Sequence, residues 1–342
     1  MQYEFYLGSY AAAEENSIYR YELDAEKKEF QMLHAIKGIE NPSYLLIHPN
    51  GKIMYSVEEL TPEGRLAVFS LDDLGGQPKH LFSLPSEGAD PCHLSLDETG
   101  KFLFVSNYTS GSLTVFRLDA DGKPAERTDC RQHVGHGKDQ QRQEGPHVHF
   151  SGMVNGLLYV CDLGLDLIIC YKLNDKTGKL ENAGNNLSFP EGTGPRHFAV
   201  CDAHPEFLYA VGELTGEVTV FKNDGNFYEA VQRVSSLSED FEGENTAAAI
   251  KFSRNGKLLF VSNRGSDSIT SFAVQEDGKL KKTDIVSCGG KGPRDFSVFG
   301  ELLVVANQYS HNLALIKYSE ETGKMQVLPQ REAVGSPVVL CS

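Results

Sequence analysis

The sequence predicts an all-β protein: a seven-bladed β-propeller of four-stranded antiparallel blades, with one blade closed by joining the N- and C-terminal strands. Three observations predict it. The chain repeats itself, turn residues punctuate it about every 8 to 12 residues, and its first and last segments are complementary parts of one repeat.

The repeat is plainest where "DPCHLSLDETGKFLFVSNYTSGSLTVFRL" (90–118) is set beside "NTAAAIKFSRNGKLLFVSNRGSDSITSFAV" (245–274). Further copies begin at Asn41 ("NPSYLLIHPNGKIMYSVEE"), Gly145 ("GPHVHFSGMVNGLLYVCDLGLDLIICY"), Gly194 ("GPRHFAVCDAHPEFLYAVGELTGEVTVF") and Gly292 ("GPRDFSVFGELLVVANQYSHNLALIKY"). Each copy opens on a short strand, usually behind a proline. An Asp/Asn/Gly turn leads to an apolar strand such as "LLFVSN". An alternating strand such as "SITSFAV" and a polar fourth strand such as "KLKKTDIV" complete it. β-Branched and aromatic residues dominate these runs, as a pleated, half-buried surface requires. No long amphipathic helix is expected.

The openings fall at Pro42, Pro91, Pro146, Pro195, Ala247, Pro293 and Pro337, spaced by 44 to 55 residues. That period fits four-stranded blades. The last opening, "GSPVVLCS", holds one strand, and "YEFYLGSY" near the N-terminus reads as the second strand of a blade. Joining them protects both free edges. A single domain over residues 1–342 is expected.

Bulk properties bound the function. Hydrophobic residues make up 40% and charged residues 23%, an ordinary globular balance. The net charge of −15 opposes nucleic acid and anionic membrane surfaces as partners. It also opposes anionic ligands at long range unless positive charge is concentrated locally. No apolar run reaches the roughly 18 residues of a membrane span. "MQYEFYLGSY" lacks the basic and apolar regions of a secretory signal, so a cytoplasmic protein is expected. The seven cysteines have no CxxC spacing. Cys92, Cys161, Cys170, Cys201 and Cys341 lie in apolar runs and are expected as buried, reduced thiols. The polar stretch 130–150 is long for a connection, which suits either a functional loop or a mobile excursion.

Equivalent positions of a propeller form rings. The residue after each opening position gives Ser43, Cys92, His147, Arg196, Ala248, Arg294 and Val338. The end of the second strand gives Glu59, Tyr108, Leu163, Glu213, Arg264 and Gln308, preceded by Glu58, Asn107, Asp162, Gly212, Asn263 and Asn307. Architectural positions repeat one residue type, whereas these neighbours diverge into His, Arg and Glu. Divergent polar residues at a channel mouth predict a site for an anionic small molecule, since guanidinium groups grip carboxylate or phosphate through paired hydrogen bonds.

Each candidate has a plainer alternative. Arg196 and Arg294 could pair with Asp162 or Asp295. His147 and His149 alternate along one strand; with His136 they raise zinc, but no third ligand has a telling spacing and no metal is expected. His149 and His197 are either substrate-binding groups or satisfied core residues, and Glu213 is either a channel acid–base group or half of a rim ion pair. Asn107, Asn263 and Asn307 read as turn residues bonding nearby backbone. "DLGLD" (162–166) has a calcium-loop composition without the EF-hand spacing. No nucleophile elbow, phosphate loop or dinucleotide fingerprint occurs, and no cofactor is expected.

Taken together, "GPHVHF…YVCDLG", "GTGPRHFAV…VGEL", "LLFVSNRGSDSI" and "GPRDF…VVANQ" resemble the bacterial seven-bladed propeller lactonase family. That family includes 6-phosphogluconolactonases and is similar to propeller enzymes that cycloisomerise carboxymuconate. The resemblance spans essentially the whole chain. It implies a channel active site with functional residues at His147, Arg196, Glu213, Arg264 and Arg294. It further implies hydrolysis of a phosphorylated sugar lactone in the pentose phosphate pathway. Opening a lactone needs an activated water and a stabilised oxyanion. His147 is the expected base, Glu213 the orienting or second acid–base group, Arg196 and Arg264 the oxyanion partners, and Arg294, His197 and His149 the substrate-binding residues. The alternatives are a related enzyme acting on another lactone or a muconate, and a non-catalytic binding propeller.

Overall fold

A computed structural model describes residues 1–72, 76–225 and 227–342. Seven antiparallel sheets account for its strands, in the fold class of the seven-bladed β-propeller. Six sheets follow the chain in order. They begin at Leu45–Ile47, Pro91–Leu96, Val148–Val154, Pro195–Ala199, Thr246–Phe252 and Pro293–Phe299. The seventh runs Pro337–Cys341, Gln2–Ser9, Ile18–Asp24, Glu29–Ile36, so the two ends share one blade as expected. The third blade carries a fifth short strand, Leu187–Ser188, beside Leu167–Leu173. Among the described residues the helical content is one 3-10 turn, Leu163–Leu165.

The chain gathers into two compact units. The first comprises Met1–Phe5, Tyr21–Gln31 and Pro195–Leu340; the second comprises Tyr6–Arg20, Met32–Gly194 and Cys341–Ser342. Within each, sheets pack face to face through alternating apolar side chains. In the second unit Tyr55, Val57 and Val68 meet Leu94, Val105 and Phe116. In the first, Phe260 and Ile269 meet Phe296, Val305 and Tyr318. Tyr209 donates its hydroxyl to the Gly278 carbonyl at 2.8 Å, and Tyr55 makes the same bond to Gly122. These straps tie one sheet to the hairpin of the next. Second strands such as Ile53–Glu58 are buried throughout, while fourth strands such as Pro124–Gln132 are polar and largely exposed. That gradient is how a sheet presents a safe outer edge to water.

A β-bulge recurs at one place in five blades. Pairing slips by one residue between Pro91 and His93, Val148 and Phe150, Pro195 and His197, Ala247 and Ile250, and Pro293 and Asp295. The extra residue bends the strand and re-aims its side chain. It is Cys92, His149, Arg196 and Arg294 in four blades, with Ala248 and Ala249 sharing the slip in the fifth. This register corrects one equivalence drawn from the sequence. Val148, not Pro146, lies opposite Asp162, the partner position of Asn107 and Asn307. His149 therefore takes the place of Arg196, and His147 lies just ahead of the strand instead of alternating along it.

All seven cysteines are thiols outside any disulfide. Cys92, Cys161 and Cys170 are buried as expected, but Cys201 and Cys341 are half-buried because they sit where their strands run out.

Candidate functional site

In the first unit, the bulge turns Arg196 inward, where it is 2% exposed. Its Nε lies 2.8 Å from Glu213 Oε2. Its Nη1 donates to the Ala248 carbonyl at 2.9 Å and meets His197 Nε2 at 3.1 Å. A guanidinium only donates, so His197 Nε2 accepts and its ring proton sits on Nδ1. Glu213 follows the strand Phe207–Gly212 and is 4% exposed. Arg264 ends the strand Leu258–Arg264 and donates from Nη2 to the same Glu213 oxygen at 2.8 Å. Arg264 also holds the Thr246 and Ala247 carbonyls at 3.2 and 3.3 Å.

Two buried guanidinium groups therefore share one carboxylate oxygen. Two guanidinium groups held side by side are the donors that grip an anion through paired hydrogen bonds. Arg264 also faces a cleft of about 200 Å³ lined by Glu244, Asn245, Thr246, Gly265 and Tyr309. Tyr309 is 61% exposed, and its ring lies over Gly292, where a Cβ would come within 2.4 Å of it.

The second Gly-Pro-Arg stretch behaves differently. Arg294 is half-buried on its bulge. The neighbouring Asp295 accepts from Lys251 Nζ at 2.7 Å and from the Leu340 amide at 2.9 Å. Asp162 is likewise committed elsewhere. The carboxylate that Arg196 meets is thus Glu213.

In the second unit, His147 is 6% exposed and stacks on Tyr108, with ring centroids 4.4 Å apart. Its Nδ1 lies 3.2 Å from the Tyr108 carbonyl. A carbonyl only accepts, so Nδ1 carries a proton. Nε2 lies 3.4 Å from Glu144 Oε1, which would face any proton taken up there. His149 meets the Tyr108 ring in a T-shaped contact, with centroids 5.7 Å apart. The stretch 130–150 is anchored to this unit. Gln143 is fully buried and donates to the Leu163 carbonyl and to Asp166, both at 2.8 Å. The "DLGLD" carboxylates serve backbone amides: Asp162 accepts from His147 and Leu165, and Asp166 from Gly192 and Gly194.

Apart from Arg294, the predicted residues thus fall into two clusters, Arg196–His197–Glu213–Arg264 and His147–His149. Sequence reasoning missed Glu144, Tyr309 and the lining residues Asn245 and Thr246. Their one signal is position: Tyr309 follows Gln308 at the end of a second strand.

Residues 4–341 match the protein family described as "Lactonase, 7-bladed beta-propeller". The chain belongs to this family. Among curated proteins, this lactonase is 36% identical to a 6-phosphogluconolactonase of Bacillus subtilis, with 98% of this chain and 97% of the relative aligned. It is 34% identical to a 6-phosphogluconolactonase of Formosa agariphila, over 93% and 92% of the two chains. Among solved structures it superposes on a periplasmic gluconolactonase of Pseudomonas aeruginosa with a TM-score of 0.93 at 28% identity, covering 99% and 98% of the chains. The lactonase is accordingly an enzyme of the lactone-hydrolase class. Among its described residues, no helix is long and apolar enough to cross a membrane.

Proposed function

We propose that this lactonase hydrolyses 6-phosphogluconolactone to 6-phosphogluconate, as a single-domain cytoplasmic enzyme of the pentose phosphate pathway. The observation that carries the reading is the convergence of Arg196 and Arg264 on one Glu213 oxygen. Two guanidinium donors held in place there suit the oxyanion that forms when a lactone carbonyl is attacked. The names of the curated relatives support the phosphorylated substrate.

In this reading His147 Nε2 takes a proton from water as the water oxygen bonds to the lactone carbonyl carbon. The carbonyl electron pair moves to oxygen, where Arg196 and Arg264 stabilise it. As that pair returns, the ring C–O bond breaks, and the leaving alkoxide takes the proton from His147. Glu213 orients both guanidinium groups. Arg294 holds the substrate phosphate, and His197 and His149 complete the binding surface.

The test is acid release from freshly prepared 6-phosphogluconolactone, run beside unphosphorylated gluconolactone. A kcat/KM at least ten-fold higher for the phosphorylated lactone is expected. A rate no faster than spontaneous hydrolysis on both would sink the reading. Preference for the unphosphorylated lactone would remove the phosphate from it.

A further inference from the structure

The junctions between successive blades are built to one plan. The residue just past a fourth strand bonds its amide back to the loop between strands two and three: Ser86 to Gly64, Ser236 to Gly216 and Cys288 to Asp267, at 2.8 to 2.9 Å. The Asn closing the next blade's second strand then donates to that residue's carbonyl. Asn107 reaches Ser86, Asn263 reaches Ser236 and Asn307 reaches Cys288, at 3.2 to 3.3 Å. All three Asn residues are fully buried. A fourth junction has the same backbone, with the His133 amide on the Gly111 carbonyl at 3.0 Å, but different chemistry. There the pair is His133 and Asp162.

The exchange turns a donor into an acceptor. An Asn side chain can satisfy the carbonyl behind it, whereas an ionised Asp accepts only. Asp162 Oδ2 lies 2.6 Å from His133 Nδ1, and Asp162 Oδ1 accepts from the His147 amide at 2.8 Å. The other His133 nitrogen, Nε2, lies 3.0 Å from the Tyr171 hydroxyl. Nδ1 faces the Asp162 carboxylate and donates, which leaves Nε2 to accept from the Tyr171 hydroxyl, whose phenol burial pushes up. The bonds then run in one direction: Tyr171 O–H to His133 Nε2, His133 Nδ1–H to Asp162 Oδ2, and the His147 and Leu165 N–H groups to Asp162 Oδ1. The His147 carbonyl is also held, by the Leu163 amide at 2.9 Å.

We propose that His133, Asp162 and Tyr171 are positioning residues for His147: the blade junction has been converted into a buried relay that fixes the backbone carrying the imidazole. The proposal rests on the reading of His147 as the base. A purely architectural junction needs only the Ser/Cys–Asn pair, which serves at three other places in this chain.

That alternative pair supplies the test. The double variant His133→Ser/Asp162→Asn restores the common junction and should keep a melting temperature near that of the parent. Its kcat on the lactone should fall about ten-fold or more with KM little changed, since small misplacements of a catalytic group are costly. Built on His147→Ala, the same exchange should cost nothing further. Parental kcat in the folded double variant overturns the proposal, as does an equal fractional loss in both backgrounds. Should the double variant not fold, Tyr171→Phe asks the same question: a several-fold kcat loss that appears only when His147 is present. If His147→Ala alone keeps the parental kcat, the base reading falls and the positioning role falls with it.

Discussion

Glu213 sets the electrostatics of the first unit's cluster, and the sequence could not show that its carboxylate meets two arginines. Arg196, Glu213 and Arg264 are separated by a strand or more, and only the bulge at Arg196 turns its side chain back toward Glu213. Truncating Glu213→Ala leaves two buried guanidinium groups facing each other. A loss of about 3–5 kcal/mol is expected, as for a buried pair that loses one member. Urea unfolding with and without sulfate measures it, and an anion entering the vacancy should recover part of the loss. His147→Ala removes the proposed base and should lower kcat by about 10²-fold; steady-state kinetics at saturating lactone decide it. A third expectation concerns Cys288, which burial pushes up to about 12. The folded protein holds this thiol proton more tightly than the unfolded chain does. Between the thiol's ordinary value and about 12, rising pH therefore favours unfolding. At pH 8 a thiol reagent should label exposed Cys130 quickly and leave Cys288 untouched until denaturant is added.

At the scale of elements, the repeat was legible because every blade spends its residues in the same order. A buried second strand, an alternating third and a polar fourth leave a period that survives in one sequence. The bulge was not legible, because a one-residue slip leaves the alternation intact on either side. For that reason "GPHVH" aligns by sequence two residues away from its structural register: its proline resembles the openings of other blades, while the pairing begins at Val148. The close approach of Gly164 was hidden for the same reason. A Cβ there would sit 1.8 Å from the Gly145 carbonyl, just before His147. Gly164→Ala must push that backbone aside. The expected cost is about 1–3 kcal/mol, the usual range for overpacking, read as a lower urea midpoint. A fall in kcat should accompany it.

At the scale of the whole molecule, the sheet that joins Pro337–Cys341 to Gln2–Ser9 closes the strand count. Its last strand is also stitched to its neighbour, through the Leu340 amide on Asp295 and the Ser297 hydroxyl on the Leu340 carbonyl. Removing residues 337–342 would bare one edge of Gln2–Ser9. An uncovered strand edge is a template for pairing with other chains. The truncated protein should melt lower and elute as aggregate on size exclusion, while a Leu340→Ala point variant should stay monodisperse. The complementarity of the two ends was legible as half a repeat at each, which no property of a single strand would have revealed.

The recurring bulge also has a consequence for how such a protein can change. The residue it carries stands outside the ladder's alternation, so its identity is not fixed by the pleat. Here the same socket holds thiol, imidazole, guanidinium and methyl side chains on one unchanged backbone. A new binding preference can therefore arise by rewriting a single letter per blade, without renegotiating the fold.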